Sequence, residues 1–325
     1  MSSRGAFVKR LAATAVASAV VMVTLELGFR AAVPACGLTP FRSSAIPGLA
    51  VELRPSFETT YKGAVVRTNS LGMRGPEVGP REPGLLRVVL CGDSFTFGSG
   101  VEHEATLAAS LERALAERGT SAEVLNLGVP GYTAEEVAAA AEHRIPGLAP
   151  DVLVYVLYAN DVDPPREPLE IPPDARIDPL SGFTLGSAFV EWTRIQVSRA
   201  LVRSGRRPHR RTPEWSRHQY ESGGGARIRS AVQRMKDLSI ASGARFVAAS
   251  YPHLTDPAIN PFRPIDELFH QDLASLGVES YDLLEAFDGE SDLLDYWADV
   301  FDHHPSAECN ARVAAHLAEQ LSDDR

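Results

Sequence analysis

Cysteine is scarce in this 325-residue chain, which has only Cys36, Cys91 and Cys309. Three thiols so far apart make neither a disulfide framework nor a metal-ligand spacing, and no metal or cofactor is implied. Cys91 reads as a small buried hydrophobe at a strand end; its distance from Cys309 is not legible in the sequence. Positive charge is also short. Lys and Arg number 32 against 42 Asp and Glu, a formal charge of −10. Phosphate backbones are held by basic faces, so nucleic acid is not the expected partner. One local exception is the cluster Arg199, Arg203, Arg206, Arg207, Arg210 and Arg211. It reads as a solvated loop, or else as a contact for anionic headgroups or an acidic polymer. Internal repeats are missing, and low complexity is confined to one alanine-rich helix, so repeat architectures are set aside.

What the chain does contain begins with a membrane signal. Arg4, Lys9 and Arg10 precede the apolar run from Leu11 to Leu25. A basic flank before an apolar run means export or insertion. The run reaches spanning length only if Glu26 is carried along as far as Phe29. Residues 1–36 are therefore expected to be a signal anchor, with a cleaved signal peptide and a secreted product as the alternative. A lipoprotein reading at Val33-Pro34-Ala35-Cys36 is interrupted by Glu26 and Arg30. The basic flank should stay cytoplasmic, placing the main domain on the extracytoplasmic side, periplasmic or cell-surface.

Residues 37–84 are rich in Pro, Gly and short polar runs, a leader region packing on the domain, with a strand and turn over 65–72. From Leu85 the chain alternates. Strands are expected at 85–91, 124–127, 151–157, 245–250 and 278–282, and helices near 105–118, 134–145, 225–241, 264–275 and 306–321. Thr133 and Glu136 have the spacing of a capping box. The third strand is apolar throughout, as burial on both faces requires. Residues 163–222 break the pattern and read as an insertion over the sheet's edge or mouth, with one helix over 190–202. The expected fold is α/β: a doubly wound, flavodoxin-like parallel sheet of about five strands in three α/β/α layers, over 85–325, preceded by an N-terminal membrane helix.

Four segments fall at strand ends or just before a helix, the edge where open α/β sheets bind ligands. Cys91-Gly92-Asp93-Ser94 follows the first strand and presents a serine hydroxyl, a poor nucleophile until a base takes its proton. Asn126-Leu-Gly128-Val-Pro-Gly131 follows the second and offers exposed backbone donors. Tyr158-Ala-Asn160-Asp161 follows the third, and Asn160 can aim a side-chain amide at the same point. Asp302-His303-His304-Pro305 precedes the last helix and supplies a general base with a carboxylate beside it. Each has a bland counterpart: a structural serine, a turn Asx, turn glycines, a chance histidine. Their occurrence together and in order points to a nucleophilic serine site.

In that order and spacing the residues resemble the SGNH, or GDSL-type, hydrolases, over roughly residues 64 to 322. The resemblance implies a nucleophile at Ser94, oxyanion-hole donors at Ser94, Gly131 and Asn160, and a histidine at His304. Three departures stand out. Tyr158 replaces a usual glycine, which should alter the pocket wall. Phe301 stands three before His304, where the family most often has aspartate, so Asp302 is the favoured carboxylate, with Asp299, or a dyad working without a carboxylate, as the alternatives. Cys309 stands where glycine is common. His303 competes with His304, His253 could line the mouth, and His103 and His143 read as surface residues on helices. The segment Arg67 to Gly75, with Asn69 and Arg74, and Glu26-Leu-Gly-Phe-Arg30 resemble the membrane-anchored bacterial members. The expected function is ester hydrolysis through an acyl-enzyme on Ser94, acting on a small-molecule or glycan ester. The alternatives are an O-acyltransferase for an envelope polysaccharide and a catalytically silent glycan-binding module.

Overall fold

The computed structural model describes residues 3–204, 213–254 and 263–322; Arg206, Arg207, Arg210 and Arg211 of the arginine cluster lie outside them. Helix α1 (Ser3–Ala32) is followed by two small hairpins, β1 (Phe41–Ser43) with β2 (Val51–Leu53), and β3 (Glu58–Tyr61) with β4 (Ala64–Arg67). Then come β5 (Leu86–Gly92), α2 (Ser94–Phe97), α3 (Leu107–Glu117), β6 (Ala122–Gly128), α4 (Ala134–Leu148) and β7 (Val152–Leu157). After them lie α5 (Ala188–Arg203), α6 (Pro213–Gln219), α7 (Gly225–Ser242), β8 (Arg245–Ser250), α8 (Arg263–Ser275) and β9 (Glu279–Asp282). A last hairpin, β10 (Trp297–Asp299) with β11 (Asp302–Pro305), leads into α9 (Ala307–Ser322).

The central sheet has five parallel strands in the order β6-β5-β7-β8-β9. This is the doubly wound order: the chain starts in the middle, adds β6 on one side and the remaining strands on the other. Strand side chains alternate between faces. Val89, Cys91, Leu153 and Tyr155 enter a core shared with α4, α7 and α8, while Val88, Leu90, Val152, Val154 and Val156 enter a second core shared with α3 and α9. Each fully buried Leu or Val contributes about 1.5–3 kcal/mol. Continuous apolar strands follow from being covered on both faces.

Residues 37–84 are fastened to this sheet. Leu49, Val51, Leu53, Tyr61, Val66 and Met73 join the first core, and the Tyr132 hydroxyl donates to the Val51 carbonyl at 2.7 Å. Arg74 is buried beneath the turn that follows β5, where its guanidinium donates to the carbonyls of Phe97, Gly98 and Val101. Burial lowers its pKa to about 10.

The Thr133–Glu136 capping box is present, the Glu136 carboxylate accepting the Thr133 N–H at 3.1 Å, with the Thr133 hydroxyl less well aligned on the helix. Some local expectations change. His103 lies in a half-buried 3-10 turn, His103–Ala105, rather than on an α-helix surface. Arg199 is not in a solvated loop. It lies on α5, stacks on Trp297 and donates to the Leu294 carbonyl at 2.7 Å. Cys91 and Cys309 are both buried and unbridged.

Candidate active site

The candidate site's edge is made by glycines at the ends of two paired strands, Gly92 on β5 and Gly128 on β6. A β-carbon at Gly92 would fall 2.7 Å from the Val156 carbonyl oxygen, and one at Gly128 would fall 2.3 Å from the Phe97 nitrogen. Only glycine lets the short helix α2 sit directly on the strand ends. Asp93 caps that helix by accepting the Phe95 N–H at 2.9 Å, and Gly98 closes it at φ 82°. Asn126 holds the turn from β6, donating to the Thr96 carbonyl at 2.8 Å and accepting the Gly128 N–H at 3.0 Å.

Ser94 is the first residue of α2. Its Oγ is 2.9 Å from Nε2 of His304 and 3.5 Å from the Asp93 carboxylate. The shorter approach assigns the hydroxyl proton to the imidazole. On the ring's other side Nδ1 meets Oδ1 of Asp302 in a short contact, and the same oxygen accepts the His304 N–H at 3.2 Å. A carboxylate accepts only, so Nδ1 carries the proton and Nε2 is free to accept one. Asp302 and His304 stand two apart on β11, hence on one face of the strand. His303 is exposed, its ring 5.8 Å from that of Trp297 and 5.7 Å from that of His304. Asp299 turns its carboxylate to the Phe301 N–H at 2.8 Å.

Asp302 is buried. Burial would raise its carboxyl pKa, but the His304 imidazole and the Lys62 ammonium overcome that and hold it well below the usual range. Lys62 lies at the β3–β4 turn, 3.0 Å from Oδ2 of Asp302, an ion pair rather than an aligned hydrogen bond. Nothing in the sequence around Lys62 marks it as a neighbour of the last helix. The available signal was Lys62-Gly63 between two short alternating runs, which reads as a hairpin turn.

The two expected oxyanion donors occupy different settings. Asn160 lies in the 3-10 turn Ala159–Val162, with its side chain beside the Asp93 carboxyl, next to Ser94. Burial raises the Asp93 carboxyl, opposed by the Phe95 N–H, Asn160 and His304. Asp161 is buried and raised well above the usual range, with Asp93 adding to the effect. Gly131 lies in a turn, φ 79°, closed by the Tyr132 N–H on the Val129 carbonyl at 3.1 Å, with Pro130 before it. Pro then Gly suits a type II turn. The Val129 N–H bonds the Gly92 carbonyl at 3.1 Å, so this turn is tied to the strand end before Ser94. The nearest atoms above Gly131 belong to Arg166, from the segment after β7. Arg166 also ion-pairs the buried Glu136.

Tyr158 packs against the turn that carries Ser94. Its ring stacks on Phe95 at 3.9 Å, and its hydroxyl is 3.3 Å from Nδ1 of the buried His253. His143 is exposed, away from these groups. Among the described residues no group of three His, Cys, Asp or Glu side chains could hold a metal ion.

The profile of the GDSL-like lipase/acylhydrolase family matches residues 90–312. No curated protein matches the chain. Similar solved structures include a lipase/acylhydrolase from Enterococcus faecalis, at 15% identity and TM-score 0.44, covering 74% of this chain and 97% of that one. Another is a family 3 carbohydrate esterase of Clostridium thermocellum, at 14% identity and TM-score 0.43, covering 73% and 99%. A third is a psychrotrophic esterase from a Pseudoalteromonas species, at 12% identity and TM-score 0.42, covering 73% and 97%.

Proposed function

The chain belongs to the GDSL-like lipase/acylhydrolase family, and from that premise we propose that it is a membrane-anchored serine esterase working through an acyl-enzyme on Ser94. The observation that carries the reading is the line from Ser94 Oγ through His304 to Asp302, with the proton-accepting nitrogen 2.9 Å from the hydroxyl. His304 takes the Ser94 proton as Oγ attacks the ester carbonyl. Asp302 holds the tautomer and stabilises the imidazolium. The oxyanion is received by the N–H groups of Ser94 and Gly131 and by the side-chain amide of Asn160. His304 then protonates the leaving alcohol, and water, activated by the same imidazole, releases the acid.

The anchor reading is supported by α1. Its segment Ala6–Ala32 is 27 residues and contains an 18-residue stretch of mean hydropathy 1.8; it makes about 40 Å of helix at 1.5 Å per residue, enough to span. Its last turns are engaged rather than dispensable. Glu26 accepts the Ser187 hydroxyl at 2.6 Å and the N–H groups of Ala188 and Phe189 at the start of α5. The Phe29 ring lies 4.8 Å from that of Trp192, and Arg30 donates to the Gly186 carbonyl at 2.9 Å. Cleavage after α1 would remove the cap of α5. With Lys9 and Arg10 on the cytoplasmic side, the enzyme domain lies outside. Residues 37–84 and the 163–222 insertion are then a leader and a cover on one hydrolase domain, 85–325.

The test is a fluorophosphonate probe and a panel of nitrophenyl esters on the full chain in detergent. Labelling of Ser94 and hydrolysis, both lost in Ser94→Ala, are expected. Absence of labelling in the folded wild type overturns the reading and leaves a silent binding module.

A further inference from the structure

The β3–β4 hairpin turns on two residues, Lys62 and Gly63, since Tyr61 pairs directly with Ala64. Both have positive φ, 50° and 84°, the type I′ geometry that favours Asn-Gly or Gly-Gly. A lysine in the first position accepts backbone strain that a glycine would avoid. The turn is nevertheless fixed: Gly63 N–H donates to the Ala35 carbonyl at 2.9 Å, and Lys62 N–H to the Cys36 sulfur at 3.4 Å. From there the Lys62 side chain, 31% exposed, reaches inward to the edge of the candidate triad.

Its Nζ is 3.0 Å from Oδ2 of Asp302 and 3.2 Å from Nδ1 of His304. Because Nδ1 already carries a proton directed at Asp302 Oδ1, it has no lone pair for the ammonium. The contact with Asp302 is an ion pair; the contact with His304 is a cation against the edge of a neutral ring. Resting on the triad reading above, we propose that Lys62 is a positioning residue for His304. Its ammonium occupies the second oxygen of Asp302, leaving the first on the imidazole, and its charge opposes premature protonation of that imidazole.

The other groups facing His304 do not supply this. On β11 they are Asp302 and His303, whose ring is stacked 5.7 Å away. From the α2 turn they are Ser94, the Phe95 ring at 5.4 Å and the Asp93 carboxyl. Tyr61 on β3 faces Asp302, and burial together with that carboxylate pushes its phenol up to about 12, so it stays neutral. Of the described groups Lys62 is the one that carries a positive charge at every pH of the test. Removing that charge makes the imidazolium easier to form, so the enzyme should lose activity at a higher pH as conditions become acidic.

The test uses Lys62→Met, which keeps an unbranched stem without charge, and Lys62→Arg, which restores a cation, in the full chain in detergent. Two quantities are read. One is the acid limb of the kcat/KM profile for a nitrophenyl ester. The other is the titration midpoint of the His304 imidazole by NMR with ring-labelled histidine, assigned by its loss in His304→Gln. In Lys62→Met both should move up by about one pH unit, as expected for loss of one adjacent charge, with KM unchanged. In Lys62→Arg both should return most of the way. If Lys62→Met does not fold, Lys62→Gly, which suits the positive φ, takes its place. A folded neutral variant with both values unmoved overturns the proposal, as does a rise in KM with an unmoved limb, which would make Lys62 a substrate contact. The NMR midpoint needs no turnover. A wild type that neither hydrolyses esters nor labels would refute the esterase reading while the midpoint still decides the role of Lys62.

Discussion

Replacing Asp302 by asparagine removes one negative charge from a site where it is bound on both sides. Its Oδ1 accepts the His304 ring N–H and the His304 backbone N–H, the latter at 3.2 Å; Oδ2 faces Lys62 at 3.0 Å. An amide of the same shape can present an N–H to Nδ1 and favour the wrong tautomer, in which Nε2 carries a proton and cannot accept one from Ser94. It also leaves the imidazolium of the transition state without its counter-charge, with the Lys62 cation still beside it. The loss of a charge-assisted hydrogen bond alone is about 1.5–3 kcal/mol. With the tautomer reversed, the total is comparable to the roughly 10⁴-fold fall in kcat typical of such triads, about 5 kcal/mol at 1.36 kcal/mol per tenfold. Asp299→Asn is the matched comparison. That carboxylate caps a turn through the Phe301 N–H, a bond that the asparagine Oδ1 accepts as well, so the change should leave kcat within a few-fold and stability within about 0.5 kcal/mol. Initial rates on a short-chain nitrophenyl ester, with thermal melts to confirm folding, separate the two. If Asp302→Asn kept activity within tenfold of wild type while Asp299→Asn lost a thousandfold, the reasoning from strand geometry would be wrong.

Other outcomes follow from the same geometry. Asn160→Ala should lower kcat about 10²–10³-fold with little change in KM, as loss of one oxyanion donor does, read by steady-state kinetics. Gly128→Ala places a β-carbon 2.3 Å from the Phe97 nitrogen and should cost about 1–3 kcal/mol in a denaturant melt; an unchanged midpoint would show that α2 is not packed as described. Glu26→Ala removes three acceptor contacts at the start of α5, and limited proteolysis should then cut near residues 184–203 faster than in the wild type; equal cutting rates would count against the docked anchor.

The alternation of apolar runs and amphipathic helices made the five-stranded sheet legible, because a strand buried on both faces has no polar positions to disguise it. The same logic located Ser94: Gly92 and Asp93 after an apolar strand mark a chain that must turn sharply. Spacing also marked Asp302 and His304, but not the reason for it. The segment Asp302–Pro305 is a strand paired with Trp297–Asp299, so residues two apart share a face. The hairpin is short and polar, with no periodic signal from which to read it. Lys62 was hidden for a different reason. It lies 240 residues from Asp302 in sequence, and an ion pair across that distance leaves no local pattern. The Glu26 cap on α5 was equally unreadable, since a carboxylate inside an apolar run suggests an interrupted span, not an acceptor for another helix. The sequence by itself determined the elements, their order and the edge at which reactive groups collect, because those depend on near-neighbour periodicity and strand-end turns. Only the tertiary structure decided which charges meet there, because contacts between distant segments depend on register and packing, and no short window of residues encodes them.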